Sequence, residues 1–148
     1  IRKYLVDNNF IDCVIQLPEN LFFGTSIATC ILVMAKNKTE NKILFIDASK
    51  EFKKETNNNI LEEKNIKIIV DEFRSRTEKE YFSRYVDRAE IEENDYNLSV
   101  STYVEKEDKR EAAKRTAMLE AQAAVPRNVA FVKNGIARAG LIGTSVNR

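Results

Sequence analysis

A chain of 148 residues, 43% hydrophobic and 32% charged, is long enough for one packed core, and its net charge of +1 leaves no chain-wide basic footprint for nucleic acid. It has no histidine, which excludes Ser-His-Asp, Cys-His and HExxH sites, and two separated cysteines without histidine cannot build a structural zinc site. Gly24 is the one glycine before position 135, so neither a GxGxxG turn nor a P-loop is present, and no stretch approaches the ~20 apolar residues of a membrane span.

Residues 1–8 read as the end of a helix. Ile1, Tyr4 and Leu5 stand at i, i+3 and i+4, and Asn8-Asn9 is a C-terminal stop. With no initiator methionine ahead of a pattern already under way, the chain is expected to begin partway through a larger protein. Residues 10–17 form a first strand, which Pro18 ends by removing a ladder donor, and 28–35 form a second. Both are short, rich in β-branched residues and nearly continuous in apolar ones. That pattern predicts strands buried on both faces of an α/β sheet, with Cys13 and Cys30 as buried, reduced thiols of a cytoplasmic protein. Between the strands lie Phe22, Phe23, Gly24 and Thr25, followed by Ser26 and Thr29. Loops at strand ends are where α/β folds keep their sites. A third strand, 42–47, follows the polar connection 37–41. Five residues suit a hairpin, so the second and third strands are expected to be antiparallel neighbours.

Residues 49–59, charged and Asn-rich, read as a mobile loop. Ile60, Leu61, Ile66, Ile69, Val70 and Phe73 predict helix, with Asn65 a break between two segments. Residues 78–84 continue as helix or turn, 85–87 as a short strand and 89–94 as a short acidic helix. After a turn at 94–97, residues 98–104 alternate apolar and polar as an edge strand or extended arm. Residues 105–122 are charged, then Ala-rich, and predict a helix that Pro126 stops. Residue usage changes here: 111–148 holds nine Ala, three Gly and two Ile, against four, one and twelve in 1–110. The tail reads either as a non-native, functionally idle extension or as a basic helix that touches nucleic acid.

The ordered blocks FIDCVIQLPENLFFGTSIATCILVMAK, KILFIDASKEF, IVDEFRSR and EIEENDYNLSVSTYV resemble the C-terminal half of a type I restriction–modification methylation subunit, over residues 1 to about 110. The resemblance implies an α/β fold over 1–104, the C-terminal part of a Rossmann-like methyltransferase sheet ending in an antiparallel hairpin, while 105–148, whose tail the resemblance does not cover, reads as a helical or irregular extension. It implies an S-adenosylmethionine-dependent adenine-N6 DNA methyltransferase as the parent protein. The partners implied are DNA, the specificity and restriction subunits and a second methylation subunit, with no membrane. The family's Gly-containing cofactor loop and its Asn-Pro-Pro-aromatic tetrapeptide are both absent, since Pro18 and Pro126 stand alone. Hence no catalytic, metal-binding or cofactor-binding residue is expected in this fragment, which should be inactive alone.

To be methylated at N6 an adenine must leave the stack and rest on aromatic or apolar faces. In the family, the loop matching Phe22-Phe23-Gly24-Thr25 lies beside the active-site mouth. Phe23 is then the candidate base-facing aromatic, with Phe22 the alternative. Gly24 would allow close approach, and Thr25 could donate to a phosphate or base edge. The plainer reading puts both Phe side chains in the core. Glu90, Glu92, Glu93 and Asp95 read as a solvated helix end rather than a cation site. Arg74, Arg76, Arg84 and Arg88 either follow a DNA backbone or pair with Glu78, Glu80 and Asp87. Asp47 caps the turn after its strand. An alternative function is a non-catalytic α/β module that docks a specificity subunit through residues 96–104 and the helix beyond.

Overall fold

The computed structural model describes residues 1–107 and 110–122. They divide between two units, the first Ile1–Lys106 and the second beginning at Glu107. The first contains α1 (Arg2–Asp7), β1 (Ile11–Gln16), β2 (Cys30–Met34), β3 (Lys42–Asp47), β4 (Lys53–Lys54), β5 (Asn59–Ile60), α2 (Glu63–Ser75), β6 (Ser83–Asp87), α3 (Arg88–Glu93) and α4 (Val100–Tyr103). In the second, residues 110–122 form a helix, so 105–107 stand outside the helix expected over 105–122. The stop expected at Pro126 lies outside the described residues.

Four strands make a mixed sheet in the order β2-β1-β3-β6, and β4 pairs with β5 in a separate hairpin. β1 runs antiparallel to β2 and parallel to β3, and β3 runs antiparallel to β6. Successive side chains on β3 alternate between two cores, as a strand covered on both faces requires. Ile43 and Phe45 join Val6, Ile11, Val14, Val86, Ile91, Val100 and Tyr103 on one face. Leu44 and Ile46 join Cys13, Ile15, Leu17 and Ile69 of α2 on the other. Phe45 and Tyr103 bring their ring centroids to 4.4 Å.

The expected β2–β3 hairpin is not formed, because β1 lies between the two strands. The choice between a hairpin and a long crossover left out a third route, in which β2 itself is part of the connection joining parallel β1 to β3. Residues 35–41 then span two strand spacings, ~9.6 Å, across the end of β1. Asn9 Nδ2 holds them there by donating to the Lys38 and Glu40 carbonyls at 3.0 and 3.1 Å. Lys38 Nζ donates back to Ile11 O at 2.7 Å and also to Lys42 O. Burial lowers the pKa of this lysine.

Burial on both faces holds for β1 and β3 and fails for β2, where Ile31, Leu32 and Met34 are 46%, 40% and 53% exposed. Cys30 is exposed with them, whereas Cys13 is buried and its thiol is pushed up to about 12 by that burial. As an edge strand, β2 receives no cover from the described residues that would match its apolar character.

Three local expectations also give way. The loop expected over 49–59 contains the β4–β5 hairpin, seated by a Lys53–Glu62 ion pair at 2.8 Å. Asn65 does not break α2. Its Oδ1 accepts the Glu62 N–H at 3.0 Å at the helix start, a role in which a poor helix former is favoured. Residues 98–104 contain helix α4 rather than a strand. Val100, Tyr103 and Val104 recur at i, i+3 and i+4, and all three are buried, so the helical period prevails over the alternation.

Candidate functional site

The loop over 17–29 leaves the carboxyl end of β1, which is also the carboxyl end of its parallel neighbour β3. Pro18 is fully buried at the loop's start. The stem closes where Leu17 N–H donates to Thr29 O at 2.8 Å. Leu21 packs against the α2-side core, after which the chain turns outward. Gly24 sits at φ +77, a conformation that L side chains rarely adopt, and a Cβ added there would meet nothing within 4 Å. Backbone conformation, not crowding, accounts for glycine at this position. Thr25 Oγ1 accepts the Ile27 N–H at 3.1 Å, which tightens the outgoing leg and leaves the hydroxyl hydrogen free to donate.

Phe22 is 50% exposed and Phe23 96% exposed, so neither belongs to the core. Ile27, also exposed, adds to the same apolar loop. Placing two adjacent phenylalanines in water costs hydrophobic free energy that folding alone does not recover. Between the loop's legs and the ends of β1 and β3 lies a cavity of about 140 Å³, lined by Gln16, Glu19, Ala28, Asp47, Ser49 and Ser101. Asp47 Oδ1 accepts the Ser49 N–H at 3.0 Å, the capping role expected of it.

Sequence reasoning missed two features. Asn59, first residue of β5, donates its side-chain amide to Glu19 O at 2.7 Å and its backbone N–H to Asn20 O at 2.8 Å. Glu72 is fully buried beneath Ser83 of β6, the edge strand opposite β2. Its Oε1 accepts Ser83 Oγ at 2.7 Å and Thr77 Oγ1 at 2.9 Å, and Lys79 Nζ lies 2.5 Å from Oε2. Burial pushes this carboxyl's pKa up, but the bonds from Lys79, Ser83 and Thr77 prevail and hold it below the ordinary value. The spacing of Asn65, Ile69 and Glu72 along one face of α2 was the available signal.

Three of the four arginines, Arg76, Arg84 and Arg88, form ion pairs, with partners other than those expected. Arg76 pairs with Asp12, Arg84 forks onto Glu90 at 2.6 and 2.9 Å, and Arg88 reaches Asp7 at 3.3 Å. Glu90 of the acidic cluster is thereby engaged. Among the described residues no group of three His, Cys, Asp or Glu side chains could hold a metal ion, and no helix is long and apolar enough to cross a membrane. In residues 96–104, Val100, Tyr103 and Val104 are taken up by the core, which leaves Ser99, Ser101 and Thr102 outside.

The profile of the N-6 DNA Methylase family matches residues 1–112. The chain is 54% identical over 112 residues to the type I restriction enzyme MpnII methylase subunit of Mycoplasma pneumoniae, across 75% of this chain and 21% of that protein. It is 46% identical over 118 residues to the MjaVII methylase subunit of Methanocaldococcus jannaschii, across 73% and 20%. A crystal structure of the type I restriction-modification system methyltransferase subunit from Streptococcus thermophilus matches with a TM-score of 0.71 at 44% identity, over 72% of this chain and 23% of that one. The chain thus spans about a fifth of the length of the curated relatives it matches.

Proposed function

The chain belongs to the N-6 DNA methylase family, and from that premise we propose that it is the part of a type I modification subunit that receives the target base. The reaction of the complete protein is transfer of a methyl group from S-adenosylmethionine to adenine N6 in DNA. The observation that carries the proposal is the loop at the carboxyl ends of parallel β1 and β3, which holds Phe23 almost wholly in solvent with Phe22 beside it. A base rotated out of the duplex loses its stacking partners, and an exposed aromatic face restores one. Phe23 is assigned to the base and Phe22 to its flank. Gly24 makes the turn, and the Thr25 hydroxyl donates to a nearby phosphate or base edge.

The described residues do not fit a cradle for S-adenosylmethionine. Gly24 is the one glycine among the described residues, it leads into a strand rather than a helix, and no backbone approaches it closely. The cofactor site and the adenine-polarising tetrapeptide are assigned to the rest of the methylase subunit, so this chain alone transfers no methyl group. The exposed apolar β2 supports the same division. It is read as the strand onto which the remainder of a Rossmann-like sheet pairs. Beside it opens an apolar recess of about 380 Å³, lined by Tyr4, Leu5, Phe10, Met34 and Ala35. The partners assigned to the complete subunit are DNA, the specificity and restriction subunits and a second methylase subunit, in the cytoplasm.

The test is Phe23→Ala in the complete methylase–specificity assembly, with 2-aminopurine replacing the target adenine in a duplex. Loss of one base–aromatic stack, ~1–3 kcal/mol, lowers the flipped fraction and weakens specific DNA binding about five- to a hundredfold. Unchanged fluorescence and affinity in Phe23→Ala and in Phe22→Ala alike would remove the loop from the base pocket.

A further inference from the structure

We infer that Asn59 is a positioning residue that fixes where Phe22 and Phe23 stand before any ligand arrives. Its two hydrogen bonds, at 2.7 Å to Glu19 O and 2.8 Å to Asn20 O, take hold of consecutive carbonyls two and three residues ahead of Phe22. Asn20 itself lies at φ +53, so this leg of the loop is held in a conformation that most residues avoid. The other hydrogen-bonded hold is the Leu17–Thr29 bond at the stem, and Leu21 adds an apolar contact with the α2-side core. At the tip, Thr25 N–H reaches Phe22 O at only 3.4 Å, which restrains little. A loop of this length tied at the stem alone would have its aromatic tip to order on binding. Tied at a second point, it presents the tip already ordered.

What holds Asn59 in turn is traceable. It belongs to the β4–β5 hairpin, whose two-residue strands are too short to persist unaided. The hairpin is seated on the start of α2 by the Lys53–Glu62 ion pair and by Asn65 Nδ2 donating to Glu51 at 3.4 Å, and α2 is anchored in the core by Ile69. The segment between β3 and α2 thus acts as a strut from the helix layer to the aromatic loop. Asparagine suits the position because a short side-chain donor must reach Glu19 O while the backbone N–H of the same residue meets Asn20 O. Aspartate, of the same shape, has no side-chain donor and would set a negative charge against Glu19 O.

That the positioned aromatics meet a target base rests on the function proposed above, whereas the strut does not. The experiment separates them in the complete methylase–specificity assembly, with Asn59→Ala, Asn59→Asp and Phe23→Ala in parallel. Without DNA, both Asn59 variants should speed amide exchange in peptides over 21–29 by about tenfold, since one lost hydrogen bond is worth about that factor in the opening equilibrium. With DNA, they should raise KM for DNA about fivefold and leave kcat within about twofold, because a disordered tip taxes binding rather than chemistry. Asn59→Gln, which keeps the donors, should recover part of both. Should Asn59→Ala fold poorly, Lys53→Met loosens the strut without touching the loop and should give a smaller change of the same sign. Exchange over 21–29 that stays at the parent rate in every variant overturns the strut. Faster exchange with unchanged KM, where Phe23→Ala does raise KM, overturns the positioning role. Faster exchange with no DNA effect from Phe23→Ala leaves the strut standing and removes the base-facing assignment.

Discussion

The two outer strands of the sheet are finished in opposite ways. On β6, the outward N–H and C=O of Ser83 both bond to Lys79, at 2.9 and 3.1 Å, and the outward N–H of Tyr85 bonds to the Glu78 carboxylate at 3.1 Å. The strand is also flanked by charge, with Arg84 on Glu90 and Glu72 buried beneath its first residue. On β2, by contrast, the run Cys30-Ile31-Leu32-Val33-Met34 carries no charge. Thr29 O and Ala35 N face β1, so the alternation of an antiparallel ladder turns the N–H and C=O groups of Cys30, Leu32 and Met34 away from it. Charges and local backbone pairing are how proteins blunt an edge, and an apolar edge without them invites another strand. The difference teaches where the fold is self-sufficient and where it is built to be joined. The polar edge is finished by residues of this chain, and the apolar edge is the one proposed above to pair with the rest of the subunit.

The sharpest way to break this contrast is Leu32→Lys. In the complete methylase subunit it should cost ~3 kcal/mol or more by placing an unpaired charge in a buried sheet. In this chain alone, where Leu32 is 40% exposed and a lysine can reach water, the cost should stay within ~1 kcal/mol. Urea unfolding of the two proteins measures both, and equal costs would erase the distinction between the edges.

Next in size is Glu72→Ala at the finished edge. It removes the carboxylate that takes the Ser83 and Thr77 hydroxyls and pairs with Lys79, leaving Ser83 Oγ with Thr77 O and Thr77 Oγ1 with Ser75 Oγ, for ~1–3 kcal/mol in either protein. The same carboxyl carries a pH dependence. Its folded pKa is depressed below the ordinary glutamate value of 4.5, so its stabilisation is fully present above that value and is lost as pH falls through the lower, folded value. Acid unfolding of Glu72→Gln should therefore show a flatter pH profile below pH 4.5 than the parent chain. A profile of unchanged slope would show that the carboxylate is not held by its neighbours. The smallest effect is Phe23→Ala on stability. A side chain so exposed should change the unfolding free energy by less than ~0.5 kcal/mol, which keeps its predicted effect on DNA free of a folding explanation.

How much of this could be read from the residues follows the same division. β3 lies within the bounds expected from KILFID, and β1 and α1 are close to theirs, because polar or turn residues stop each apolar run. β2 was legible as a strand but not as an exposed one, since apolar residues report a need for cover and not whether this chain supplies it. The β2–β3 relation failed because connection length says nothing about a third strand held between the two by Asn9 and Lys38. Leu98, Val100 and Val104 fit a period of two while Val100, Tyr103 and Val104 fit a helical one, and over so short a stretch only Phe45 and its neighbours decide between them. For the candidate site, FFGT was conspicuous in the sequence, while its exposure was not, because adjacent phenylalanines are equally at home in a core. Asn59 gave no signal within its run of asparagines, as its role depends on carbonyls forty residues earlier.

The most direct test of the account is amide hydrogen exchange at β2, measured in this chain and in the complete methylase subunit under the same conditions. The outward amides of Cys30, Leu32 and Met34 should exchange rapidly in the chain alone and become protected in the complete subunit, while the inward amides of Ile31 and Val33 change far less. Rapid exchange at all three outward amides in both proteins would mean that nothing pairs with β2, and its apolar edge would then be no junction.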